Sequence, residues 1–353
     1  MVAVMSRAYW LLVFVVVAAV AAECAETISL ADLPKHATEE SQLTLPDSPA
    51  FHLKAKVFES TDRHNDNHNA EIEEYWVSPD KWRREVKTAN FSQTLVVNGN
   101  QTSEQITGDY YPNWLRTFVN AIFDPGARLQ NVDLTQSDDT ARLRWTSPGT
   151  LAPAAYDGRE VCRRFSRTVG LAPATNNVFS TYCFRDGLIE SVGVPGYDVD
   201  YGDYKKFDDK RIAHKLSQWV EPGTELGAKI TNLTELAAPD PSLFVIDQPS
   251  ANFLTTVILS EAALRGLAVN APDIKWPPIS SGKNPGTLSI YVCVDRAGRV
   301  RETYPLNSDN PFMTWAARQQ AMNWRFQPTL YNGFRVQIES ILTFAYYATS
   351  VPK

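Results

Sequence analysis

The chain has 353 residues, with 34 basic against 40 acidic side chains, and a formal net charge of −6. A mildly acidic chain with no long basic run is poorly suited to nucleic acid, which removes that class of partner. A hydrophobic fraction of 44% excludes a disordered chain, and the length points to two domains, each with its own core.

The chain opens with a single basic residue, Arg7, followed by an uncharged apolar run from Tyr9 to Ala22. That run is about 14 residues, short of the roughly 20 that span a bilayer. Small residues follow at Ala18, Ala19, Ala21, Ala22 and Ala25, as a signal peptidase requires. Residues 1–25 therefore read as an export signal. Cys24 stands after Glu23, which does not suit a lipidated cysteine.

Residues 26–240 read as a mostly β domain. Phe51, Leu53, Ala55 and Val57 alternate with polar or outward positions, the period of a half-buried strand. Further strands are predicted at Ile72 to Ser78 and Trp82 to Lys87. A hairpin is predicted at Leu95 to Asn100, where Asn98-Gly99 tolerates positive φ. Later strands are predicted near Ala141 to Thr146, Val161 to Val169, Val178 to Phe184, Leu188 to Val194, Val199 to Phe207 and Ile212 to Leu216. One helix interrupts this meander. Leu115, Phe118, Val119, Ile122 and Phe123 follow helical spacing after Pro112, and Asp124-Pro125-Gly126 ends it. So complete a stripe has to be buried, and the concave face of the sheet is available. The same five residues are candidate contacts for an apolar ligand if the helix acts as a plug or lid. Trp76, Trp82, Tyr110, Tyr111 and Trp114 could line such a cavity or simply pack the core.

Cys162 and Cys183 lie on consecutive predicted strands, where antiparallel pairing sets them opposite each other, so a disulfide is expected after export. Cys293 reads as a lone thiol. The sequence has no G-x-S-x-G elbow, no H-E-x-x-H, no phosphate-binding glycine loop and no C-x-x-C, so no enzyme, cofactor or metal is expected. His64 and His68, with Asp62 or Asp66, sit in a polar stretch that reads as a solvated loop. His52 and His214 read as satisfied structural histidines, and Glu71, Glu73 and Glu74 as strand charges.

Residues 241–286 read as a linker with short elements, including a strand and helical turn within Phe253 to Leu267. Residues 287–353 read as strand, strand, helix, strand. Leu288 to Asp295 alternates with Leu288, Ile290, Val292 and Val294 inward, Gly298 turns the chain, and Arg299 to Leu306 returns. Asn310 and Pro311 suit a helix start before Phe312 to Asn323, and Val336 to Tyr347 closes the unit. The expected fold class is α+β: a curved antiparallel half-barrel with a plug helix, then a small β-β-α-β domain.

With Gly298 and the run Trp324-Arg325-Phe326-Gln327-Pro328, this last unit resembles the TonB C-terminal domain family, and Trp276-Pro277 resembles that family's upstream tyrosine-proline pair. Arg318 and Gln320 depart from the more apolar helix of the family. The first domain, through Trp76 to Pro79, Lys81 to Glu85 and the Tyr182 to Gly187 turn, resembles LolA-like lipoprotein carriers. These resemblances imply a periplasmic, non-enzymatic binding protein, with a lipid or lipidated client in the β domain. They also imply docking of a periplasmic or outer-membrane protein by strand addition. The residues expected at that edge are Val336, Gln337, Ile338, Glu339, Ser340, Ile341 and Leu342. The alternative is an inner-membrane-anchored TonB-type energy transducer for transport across the outer membrane.

Overall fold

A computed structural model describes residues 28–60, 68–130, 132, 134, 158–221, 224–279 and 282–347. The export segment, residues 61–67 of the His64 stretch and the strand expected near Ala141 lie outside the described residues, whereas His68 is described and lies 3.3 Å from Glu59. No described helix is long and apolar enough to cross a membrane.

The architecture is α+β and mostly antiparallel. A short helix, α1 (Leu33–Ser41), precedes strands β1 (Phe51–Glu59), β2 (Ala70–Ser78), β3 (Lys81–Thr88), β4 (Ser92–Asn98) and β5 (Gln101–Thr107). Helix α2 (Asn113–Phe123) follows. The chain then returns through β6 (Val161–Leu171), β7 (Ala174–Arg185), β8 (Leu188–Val194), β9 (Tyr197–Phe207), β10 (Lys210–Glu221) and β11 (Thr224–Glu235). These strands form one curved eleven-stranded sheet in the order β5-β4-β3-β2-β1-β11-β10-β9-β8-β7-β6. The two meanders are joined by β1 and β11, which pair from Phe51↔Glu235 to Glu59↔Leu226.

Strand β11, which completes this sheet, is not predicted from the sequence. Its inward positions are Leu226, Ala228 and Ile230, separated by Gly227 and Lys229, so small residues dilute the alternation. Gly227 is small for a reason: a Cβ there would lie 2.9 Å from the Phe58 ring of the neighbouring strand.

The second sheet has the order β12-β19-β14-β15, built from β12 (Thr256–Ile258), β14 (Gly286–Val294), β15 (Val300–Ser308) and β19 (Gln337–Tyr346). The expected order of strand, strand, helix, strand is present in β14, β15, α4 (Pro311–Ala321) and β19. Asn310 caps α4 by accepting the Phe312 N–H at 3.1 Å. Short elements complete the unit: α3 (Glu261–Gly266), β13 (Ala268–Asn270), β16 (Arg325–Phe326), and the hairpin of β17 (Leu330–Tyr331) and β18 (Phe334–Arg335). Part of the expected linker therefore belongs to this sheet, because β12 pairs in parallel with β19.

Both faces of the second sheet are buried. Leu288, Ile290, Val292, Val294, Ile338 and Leu342 pack under α4 with Ala317, Ala321, Trp324 and Phe326. Trp276 packs against Phe344 and Tyr346, with ring centroids 6.2 and 5.6 Å away. Arg318, a polar departure on α4, is satisfied by donating to the Thr303 carbonyl at 3.1 Å. The opposite face, carrying Tyr291, Cys293 and Tyr304, joins the core of the large sheet. Alternation along β14 thus marks two buried faces rather than one buried and one wet.

Gly298 sits in the β14–β15 turn at φ 80°, and a Cβ there would lie 1.9 Å from the Phe326 carbonyl oxygen. Gly298→Ala is expected to cost about 2 kcal/mol, from the left-handed backbone and the displaced β16 segment. Urea unfolding of the variant measures it.

Candidate functional site

Helix α2 lies between the two sheets. Leu115, Phe118, Val119, Ile122 and Phe123 are all buried against the large sheet. Its other side meets the second sheet, so the helix is apolar on one face and hydrogen-bonded on the other.

Pro112 occupies the N-cap and provides no capping side chain, which leaves the first backbone N–H groups without a local acceptor. The second sheet supplies one: the Asn113 N–H donates to Glu302 at 2.8 Å. A carboxylate at a helix N-terminus is also favoured by the helix dipole. Gln337 brackets Tyr111, accepting its N–H at 2.6 Å and donating to its carbonyl at 3.2 Å. Arg116 pairs with the buried carboxylate of Glu339, which also accepts the Tyr291 hydroxyl at 2.6 Å. Burial pushes up the Cys293 thiol and the Tyr291 and Tyr304 hydroxyls, so these groups stay neutral at this interface.

Beside this interface, the two sheets leave a cleft of about 790 Å³. One wall is β6 and β7. Register sets Arg167 opposite Val178 and Arg164 opposite Thr181, so Phe165, Arg167, Val169 and Leu171 share a face with Val178 and Tyr182. Residues 165–171 of β6, with Val178, Ser180 and Tyr182 of β7, form the wall. Ile258, Leu259, Tyr291 and Ile341 form the other, and Arg128, just beyond α2, stands at the end. Arg128 and Arg167 are solvent-exposed, and among the described residues neither has a carboxylate partner. The guanidinium of Arg128 lies 5.4 Å from the Tyr197 ring centroid. Its charge also partly offsets the upward push of burial on Tyr182 and Tyr291, two cleft residues.

The expected ligand contacts and the cleft do not coincide. The α2 stripe fills the concave face as core and lines no part of the cleft. Trp76, Tyr110, Tyr111 and Trp114 likewise pack the core. The residues that do form the cleft are mostly unmarked in sequence, because each wall reads as an ordinary strand.

The expected docking edge is corrected as well. Strand β19 is internal: β14 pairs with one side and β12 with the other. Val336, Gln337, Ile338, Glu339, Ser340 and Leu342 are buried, and Ile341 faces the cleft. Beyond β12 the edge is capped by α3, where Glu261 accepts the Thr343 N–H at 3.1 Å and Arg265 donates to the Thr343 carbonyl at 3.1 Å.

Within the signature run, Trp324 and Phe326 are buried, whereas Arg325 and Pro328 face solvent; Pro277 is half-buried beside Trp276. Cys162 and Cys183 form the expected disulfide and pair directly across β6 and β7. Among the described residues, the one cluster with metal-ligand geometry is Glu160 with these two cysteines, and their sulfurs are already bonded to each other. His52 lies 2.7 Å from Glu73, which also accepts Tyr75 and pairs with Lys54. His214 is shifted downward by burial and then by Lys205, so it is neutral at physiological pH.

No protein-family model matches the sequence, that of the TonB C-terminal domain included, and no curated protein matches it. Solved structures with a detectable likeness include a LolA superfamily protein from Nitrosomonas europaea, at 8% identity and a TM-score of 0.32, covering 62% of this chain and 99% of that one. A putative outer membrane lipoprotein-sorting protein domain from Vibrio parahaemolyticus matches at 8% identity and a TM-score of 0.28, over 61% of this chain and 95% of its own. A DUF1329 family protein from Desulfovibrio piger matches at 8% identity and a TM-score of 0.30, with the same coverage. Likeness of this degree carries no weight for function, which rests on the geometry of the cleft.

Proposed function

We propose that this is an exported, non-enzymatic binding protein whose cleft holds the apolar body of an amphiphile and whose arginines hold its anionic head. The carrying observation is the cleft itself: a largely apolar space of about 790 Å³ with the exposed Arg128 and Arg167 at it, neither of which has a carboxylate partner among the described residues. That volume falls in the range of small-molecule sites, where apolar lining supplies affinity and a few polar groups fix orientation. A lipid or a lipidated protein fits this description. Strand addition at Val336 to Leu342 is not part of the proposal, since a partner strand would have to displace β12. A TonB-type transducer has no observation in its favour.

The test is displacement of a neutral environment-sensitive dye by alkyl chains of equal length bearing a carboxylate, an alcohol or a quaternary ammonium. The carboxylate is expected to bind best, and Arg128→Glu or Arg167→Glu to weaken it about tenfold, the worth of one charge-assisted hydrogen bond. Val169→Trp, which fills the cleft from the edge strand, is expected to abolish binding of all three. Failure of every chain to displace the dye would defeat the proposal.

A further inference from the structure

The hairpin of β17 and β18 is not joined to any other sheet. Such a hairpin is marginal in water unless something covers it. Its turn, Asn332-Gly333, takes φ of 51° and 85°, which holds two residues at the tip and pairs Leu330 with Arg335 and Tyr331 with Phe334. Opposite residues share a face, so each face of the hairpin carries a large apolar side chain. Leu330 is 62% exposed, Tyr331 55% and Phe334 41%. Neither face is fully covered.

Charge along the chain segment that carries the hairpin is one-sided. From Asn310 to Ile338 the chain has no aspartate or glutamate, whereas Arg325 and Arg335 are exposed, and among the described residues neither has a carboxylate partner. The Arg325 side chain donates to the adjacent Trp324 carbonyl, at 2.7 Å. Within the same acid-free stretch, the outward face of α4 exposes Phe312 at 73% and Trp315 at 63%. The rest of the chain is acidic, with 31 basic against 40 acidic side chains and a formal net charge of −9, so this stretch is a local exception.

We infer that the β17–β18 hairpin is a membrane-docking element that seats Leu330, Tyr331 and Phe334 in the interface of an anionic bilayer, with Arg325 and Arg335 on its headgroups. A protruding apolar tip suits a deformable surface, whereas a rigid protein would need a matching pocket for both faces at once. Aromatic side chains favour the headgroup depth, and arginine stems lie along apolar surface while their charge stays at the phosphates. The acidic remainder of the molecule is repelled by the same surface, so the hairpin also sets the orientation in which the protein approaches. This inference stands apart from what the cleft holds.

Flotation of the full chain with phosphatidylcholine vesicles, with and without phosphatidylglycerol, tests it. The protein is expected to float with the anionic vesicles only and to be released by salt. Tyr331→Ser/Phe334→Ser is expected to weaken binding more than about tenfold by removing the buried apolar area. Arg335→Ala is expected to weaken it about fivefold, the contribution of one basic residue at such a surface. Both variants alter exposed side chains, and an unchanged unfolding midpoint shows that the fold is intact. Arg128→Glu, in the cleft, is expected to float normally. No flotation, equal flotation with neutral vesicles, or flotation lost with Arg128→Glu but kept in the hairpin variant would each overturn the inference. Self-association abolished by the hairpin variant, without vesicle binding, would assign the hairpin to a second copy instead and overturn it too.

Discussion

Glu339→Ala is expected to destabilise the protein by about 3–5 kcal/mol, the cost of removing one partner from a buried ion pair. Glu339 has a nearly inaccessible side chain, pairs with Arg116 of α2, and accepts the Tyr291 hydroxyl at 2.6 Å. Truncation leaves the Arg116 guanidinium, only partly exposed, without its counter-charge, and the tyrosine hydroxyl without its acceptor. The loss is directed at the join between the sheets, so α2 should loosen before the large sheet does. Urea unfolding gives the size of the effect, and amide hydrogen exchange along Asn113 to Phe123 gives its location. Arg116→Met together with Glu339→Met removes both charges and is expected to recover part of the loss, since an apolar pair of similar volume often replaces a buried ion pair at little cost. A single variant as stable as the parent would show that the pair does not hold α2.

The same residue shows what sequence reading reaches and what it misses. The run of Ile, Leu, Phe and Tyr along β19 correctly marks a strand, but only tertiary structure shows that β12 and β14 take both of its edges. Glu339, expected at a docking edge, faces the protein's own helix. Likewise Tyr291 and Cys293 occupy the polar phase of β14 and read as a wet face, because nothing local in the sequence announces a second layer. Much of the meander from β1 to β10 is recoverable, because Phe51 to Val57 alternates with a two-residue period and Asn98-Gly99 marks the turn between β4 and β5. Helix α2 is recoverable because its stripe is complete. Strand β11 escapes because glycine and alanine carry no strong signal. The cleft escapes for a different reason: Phe165, Val178, Ile258, Tyr291 and Ile341 come from distant segments, and no one of them is unusual where it stands.

Loss of the Cys162–Cys183 disulfide is expected to cost about 3 kcal/mol, from the closure entropy of a loop with a sequence separation of 21. The two cysteines are paired on β6 and β7, and β6 is the outermost strand of the large sheet, hydrogen-bonded on one side only. An edge strand has no second neighbour to hold its register, so the crosslink is its strongest restraint. Register matters here beyond stability. A slip of one residue would turn Phe165, Arg167 and Val169 away from the cleft and bring Arg164 toward it. Cys162→Ser/Cys183→Ser should therefore lower both the urea midpoint and the affinity for an anionic amphiphile. The affinity should fall further than in Arg167→Glu, because the whole wall is disturbed and not one charge. Stability lost with affinity unchanged would mean that cross-strand hydrogen bonds alone hold β6 in register, and would separate the crosslink from the binding wall.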